Sequence, residues 1–132
     1  MIYMLDTNIC GYIIRNKPEA IKDQLTAIEK EHEMTLSSIV VSELLYGARK
    51  KGSIKLSKIV NRFIGNFTIH DFDETAAKEY AIIRDALEKG GSIIGSNDLF
   101  IAAHAKALDA VLVTNNIKEF QRVSDLKLEN WV

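Results

Sequence analysis

The chain has 132 residues, 47% hydrophobic and 27% charged, with a formal net charge of −1 and one cysteine. That length supports a single domain with its own core. The near-zero net charge does not predict nucleic-acid binding, Cys10 alone excludes an intrachain disulfide, and no run approaches the ~18 apolar residues of a membrane span. The N-terminus lacks a basic flank followed by a long apolar region, so no secretory signal is expected and a cytoplasmic setting fits.

Ile2 to Leu5 reads as a short buried strand that runs straight into Asp6. Thr7 or Asn8 can cap a helix reaching about Arg15, with Cys10 on its apolar side. Pro18 suits the first turn of a second helix, in which Ile21, Leu25 and Ile28 recur at helical spacing. Met34 to Ser38 reads as a strand, followed by a helix that carries Glu43 and ends near Lys50-Lys51-Gly52. Ile54, Ile59, Phe63 and Ile64 predict another amphipathic helix, and Phe67 to Phe72 a strand. Asp73 starts a helix with Ala76, Ala77, Tyr80, Ile83 and Leu87 on one face, ended by Gly90-Gly91. Ser96 or Asn97 caps a very apolar helix from Asp98 to Leu108. Ala110 to Thr114 is the most strand-like run of the chain, and Leu126 to Trp131 can add an edge strand.

Alternating strands and helices with continuously apolar strands predict an α/β domain, with a mainly parallel sheet covered on both faces. Ligands of such sheets bind beyond the carboxyl ends of the strands. Asp6 stands just past the first strand and Asn115-Asn116 just past Ala110–Thr114, so both polar breaks can face one crevice. Four acids sit where surface decoration is unusual: Asp6, Glu43 inside an apolar helical run, Asp98 at the head of another, and Glu119 before Phe120. Taken singly, each has an ordinary reading as a helix-terminal or solvated carboxylate. Taken together, carboxylates held close repel one another, and a divalent cation removes that conflict. Magnesium and manganese prefer such oxygen donors. His32, His70 and His104 have no zinc spacing and read as core or surface residues. Between Leu44 and His70 there is no acid, but there are six cations: Arg49, Lys50, Lys51, Lys55, Lys58 and Arg62. They predict either a solvated basic face or a surface able to meet phosphates.

The ordered segments MLDTNI (Met4–Ile9), SELLYGA (Ser42–Ala48), IGSNDLFIAAHA (Ile94–Ala105), LVTNNIKEFQRV (Leu112–Val123) and ENWV (Glu129–Val132) resemble the PIN-domain ribonucleases, specifically the VapC toxins of type II toxin–antitoxin pairs. The resemblance spans nearly all of residues 1–132. It implies a three-layer α/β/α PIN domain and a magnesium- or manganese-dependent endoribonuclease. Asp6, Glu43 and Asp98 correspond to the family's central acids. Many PIN domains have an aspartate where this chain has Asn116, and Glu119 is the stand-in. Ser96 replaces a proline frequent in toxin relatives, a change expected to affect loop stiffness.

On this reading Asp6 and Asp98 are the primary Mg2+ or Mn2+ ligands. Glu43 positions or deprotonates the attacking water, and Glu119 supports a second ion or orients a hydrated one. Thr7, Asn8, Thr114 and Asn116 are candidates for hydrogen bonds that fix the ligands, or else ordinary turn and cap residues. Arg49, Lys50 and Lys51 are candidate RNA contacts, and Tyr46 a candidate for stacking on a base. The resemblance further implies a structured RNA substrate such as a tRNA anticodon loop, a VapB-like antitoxin and a homodimer. Two other readings compete: a PIN fold that holds RNA or protein without cutting, and an aspartyl-phosphate domain. The second lacks the usual aspartate at position 8 and has only Lys118 as its lysine.

Overall fold

The structure, a computed structural model, describes residues 1–132. In chain order its elements are β1 (Ile2–Leu5), α1 (Thr7–Arg15), α2 (Glu19–Glu29), β2 (Glu33–Ser37), α3 (Ser38–Lys51) and α4 (Ile54–Ile64). They are followed by β3 (Thr68–His70), α5 (Glu74–Lys89), α6 (Ser96–Ala107), β4 (Val111–Val113), α7 (Ile117–Phe120) and β5 (Lys127–Glu129). The five strands form one sheet in the order β3-β2-β1-β4-β5, with every pairing parallel.

The order has a direct consequence. From β1 the chain steps outward through β2 to β3, then returns across the sheet to β4 and steps outward the other way to β5. Right-handed crossovers put α1 to α4 on one face and α5 to α7 on the other. This gives the three layers expected, and it makes the β1–β4 junction the switch point of the sheet.

The sheet centre is dry. Met4, Leu5, Leu36, Leu112 and Val113 have no exposed surface, and Phe120 and Ile9 close over them from opposite ends of the chain. The α6 helix buries Leu99, Ile101, Ala102, Ala103, His104 and Ala105. Its burial is therefore nearly all-round, which is how a helix pressed between the sheet and the long α5 must read. Cys10 is fully buried among these apolar residues. No helix is long and apolar enough to cross a membrane.

Two helix starts and one strand differ from the sequence expectation for local reasons. Asp6, one residue before the expected Thr7 or Asn8, caps α1: its carboxylate accepts the Thr7 N–H at 2.8 Å. Gly95, not Ser96 or Asn97, is the cap residue of α6, and it has no side chain to donate or accept. The third strand is shorter than Phe67 to Phe72, because Ser38 Oγ takes the Phe72 N–H at 3.0 Å and bends the chain off the sheet. Gly52 and Gly91 stand at φ 65° and 67°, the left-handed region that lets α3 and α5 stop where the sequence punctuates them.

Candidate active site

The site begins with a strand end that is also a helix cap. The Asp6 N–H continues the β1–β4 ladder by bonding the Val113 carbonyl at 2.9 Å. The residue is only 4% exposed. One carboxylate oxygen, Oδ1, accepts the Thr7 N–H, and the other, Oδ2, accepts the Thr114 hydroxyl at 2.8 Å. Burial pushes the Asp6 carboxyl above its usual range; the Thr114 and Thr7 hydrogen bonds oppose the shift, and the charges of Glu43 and Glu119 add to it.

Thr7 ties a second acid to the first. Its hydroxyl donates to Glu43 Oε1 at 2.8 Å, so one residue of α1 bonds both the carboxylate that follows β1 and the carboxylate on α3. Glu119 on α7 is held just as closely. The Gly95 N–H donates to its Oε1 at 2.7 Å and the Asn116 side-chain amide to its Oε2 at 2.6 Å. The Asn116 N–H donates to Thr114 Oγ1 at 3.0 Å, which closes a chain of contacts from Glu119 through Asn116 and Thr114 to Asp6. Asp98 enters from the first turn of α6. A Cβ placed on Gly95 would lie 3.5 Å from Asp98 Oδ2 and 3.6 Å from Glu119 Oε1, so the glycine backbone floors the cleft between those two carboxyls.

The electrostatics follow from this crowding. Asp98 is pushed up to about 7, first by burial, then by the charges of Asp6 and Glu119, its hydrogen bond with Glu119, and Glu43. Glu119 moves down, because the Gly95 N–H leads the groups that favour its charged form. The crowding therefore favours the protonated form of Asp98, while the hydrogen bonds at Glu119 favour its charged form. No three carboxylate or imidazole groups close a cage around a metal position. The acids are instead linked through Thr7, Thr114, Asn116 and the Gly95 N–H, and their chemistry fits a hard divalent ion that takes carboxylate oxygens and keeps several waters. The repulsion that lifts Asp98 is what such a cation relieves.

The structure therefore brings Asp6, Glu43, Asp98 and Glu119 together, with Thr7, Thr114 and Asn116 hydrogen-bonded to them. Asn8 is different: it is exposed and bonds none of the acids, although it lines the groove beside Glu43. Asn115 turns away from the acids and donates to the Tyr12 hydroxyl at 2.9 Å. The Gly95 N–H is a site group that sequence reading missed; a backbone donor has no letter of its own.

The histidines are occupied elsewhere. His104 Nδ1 meets Ser37 Oγ at 2.7 Å, His70 pairs with Glu33 at 2.9 Å, and His32 packs on the Tyr3 ring. His70 and His104 do approach each other, with ring centroids 6.5 Å apart, among Phe72 and the end of β2. Lys118 is exposed and pairs with no acid, so the cation a phosphoacceptor needs beside Asp6 is missing.

Among the candidate RNA contacts, Arg49 and Lys51 line cavities beside the cleft. Lys50 and the 65%-exposed Tyr46 stand outside both.

The arrangement matches a known family. The PIN domain profile matches residues 3–126. The chain is 47% identical over 133 residues to Ribonuclease VapC2 of Rickettsia felis, covering 99% of this chain and 98% of that protein. The chain belongs to the VapC branch of the PIN domain family. This PIN domain is also 38% identical over 130 residues to the tRNA(fMet)-specific endonuclease VapC of Salmonella typhimurium, covering 98% of this chain and 97% of that one. Its fold superposes with a TM-score of 0.95 and 44% identity, over the full length of both chains, on the structure of VapBC2 from Rickettsia felis bound to a promoter DNA fragment. For DNA-bound VapBC from Salmonella typhimurium the TM-score is 0.91 at 37% identity, covering 100% of this chain and 99% of that one.

Proposed function

We propose that this VapC-family PIN domain is an endoribonuclease toxin that hydrolyses RNA with Mg2+ or Mn2+, takes a tRNA anticodon loop as substrate, and is restrained by a VapB-type antitoxin. The observation that carries the reading is the meeting of Asp6, Glu43, Asp98 and Glu119 at the carboxyl ends of β1 and β4, each drawn from a different element. The relatives named ribonuclease and tRNA(fMet)-specific endonuclease support the reaction and the substrate, and the VapBC complexes support the partner.

Asp6 and Asp98 would hold the ion, with Glu43 and Glu119 beside them. When bound, the ion polarises a phosphoryl oxygen and makes water a better nucleophile near neutral pH. The protein's own groups divide the remaining work. Asp6 is locked by two hydrogen bonds and stays rigid. Glu43 uses Oε1 for the Thr7 hydroxyl and leaves Oε2 free to orient a water and take its proton. Glu119, fixed by Gly95 and Asn116, keeps negative charge beside Asp98. With each histidine placed away from the acids, attack by the ribose 2′-hydroxyl has no imidazole pair to serve it. Water attack leaves a 5′-phosphate and a 3′-hydroxyl. An antitoxin that brings an arginine to the acids would compete with the cation for the same charge. A homodimer in the cytoplasm accords with the family.

The test is cleavage of tRNA by the purified protein in magnesium. The wild type should cut, and Asp6→Asn and Asp98→Asn variants that melt cooperatively should not. A tRNA carrying one 2′-deoxyribose at the cut site should still be cut; loss of cutting with binding intact would rule out direct water attack.

A further inference from the structure

The acid-free interval from Leu44 to His70 folds as the end of α3, the Gly52 turn and α4. All six of its cations are exposed, and none is ion-paired within the fold. Three of them, Arg49, Lys58 and Arg62, line a cavity of about 740 Å³, with Ser53, Ser57 and Asn61 as neutral hydrogen-bonding groups and no acid on its wall. A second cavity, of about 440 Å³, leads from Thr7 and Glu43 along α3 past Gly47 to Lys51, with Arg15 on its far side. The two cavities share Ala48, so they adjoin. Glu43, Gly47 and Lys51 are successive residues on one helix face, and Lys51 lies about 12 Å along the axis from Glu43. That is the axial rise of three to four stacked nucleotides, at about 3.4 Å each. At Gly47 an added Cβ would meet nothing within 4 Å, so the groove floor is open there.

The geometry points to a track for a single RNA strand. It starts at the acid cleft, runs over Gly47 between Arg15 and Lys51, and ends with backbone phosphates seated among Arg49, Lys58 and Arg62. The inference rests on the nuclease reading for the direction of the strand, and it adds a phosphodiester-binding subsite away from the reacting bond. Phosphodiester is the ligand class because unpaired cations and neutral donors surround the cavity without a carboxylate to compete. An acidic protein segment would meet the same charge, but continuity with the cleft favours the substrate strand.

The experiment measures binding of a fluorescein-labelled anticodon stem-loop RNA at several salt concentrations, in the uncut Asp98→Asn background. Each phosphate contact on a single strand contributes about 0.7 to the slope of log affinity against log salt. Replacing Arg49, Lys58 and Arg62 with glutamine should lower that slope by about 2. Between 50 and 200 mM salt, the unsubstituted protein should therefore lose about twentyfold more affinity than the triple variant. Glutamine at Lys78, Lys89 and Lys127 removes the same charge from cations already paired to acids and should leave the slope alone. Gly47→Leu, which fills open space on a helix, should fold normally and weaken RNA binding at every salt concentration.

An unchanged slope in the Arg49/Lys58/Arg62 variant would overturn the track. So would a variant that keeps its RNA slope but loses an antitoxin-type protein partner, or an equal drop in the control variant. A wild type that binds with the expected slope but never cuts would defeat the nuclease reading and leave the track standing.

Discussion

The Thr114 hydroxyl donates to Asp6 Oδ2 at 2.8 Å, joining residues 108 positions apart across the switch point of the sheet. Thr114 Oγ1 in turn accepts the Asn116 N–H, so one β-branched side chain, fully buried, couples the end of β4 to the acid at the end of β1. Thr114→Val keeps the shape and removes both contacts. A hydrogen bond to a buried charged group contributes about 1.5–3 kcal/mol. Urea denaturation should show a loss of that order, and turnover should fall about 10- to 100-fold because the ligand carboxylate loses its orientation. Unchanged stability and turnover would mean that Asp6 is held by the backbone alone.

Asp98 gives the metal-free protein a pH dependence of definite sign. Its folded pKa of about 7 lies above the ordinary value of 3.8. The protonated form therefore stabilises the fold fully below about 3.8, and that contribution is lost as pH rises through about 7. His104 acts oppositely: burial lowers its pKa, so its contribution is present above its ordinary value of 6.5 and is lost as pH falls below it. The difference between wild type and Asp98→Asn isolates the first effect. Without divalent ions, Asp98→Asn should be more stable than wild type at pH 8, by on the order of 1 kcal/mol after solvent screening, and the gap should close by pH 4. Chemical denaturation in chelator at both pH values measures it; an equal gap at both would contradict the charge conflict.

Glu119 has the opposite lever. Its pKa is lowered from 4.5, chiefly by the Gly95 N–H, so its stabilising contribution is present above that value and lost as pH falls through the lower, folded one. Glu119→Gln should weaken the tie between the α6 cap and α7 and expose the Gly95 amide to hydrogen exchange faster than in wild type. Protection that stays the same would show that the Gly95–Glu119 contact does not hold that turn.

Much of this was legible in the letters, and the limits have physical causes. Apolar runs such as Ala110–Thr114 announce buried strands because both faces of a parallel sheet are covered. The periodic faces of α2, α4 and α5 announced themselves by helical spacing, and the four acids stood out because each sits in or beside an apolar context. The α7 helix was not foreseen, since Ile117–Phe120 is a single turn and too short to show a period. The Asp6 cap was displaced by one residue because Thr7 and Asn8 are equally good cap types. The Gly95 amide and the Asn115–Tyr12 bond were hidden, one because it is backbone and the other because only the fold brings residues 12 and 115 together.

The central claim, that these distant acids form a single cation-holding cleft, is tested most directly by manganese titration followed by electron paramagnetic resonance. Wild type should bind Mn2+, Thr114→Val should bind it 10- to 100-fold more weakly, and Asp6→Asn/Asp98→Asn should show no specific binding while remaining folded. Equal Mn2+ affinity in the wild type and the double variant would contradict the account.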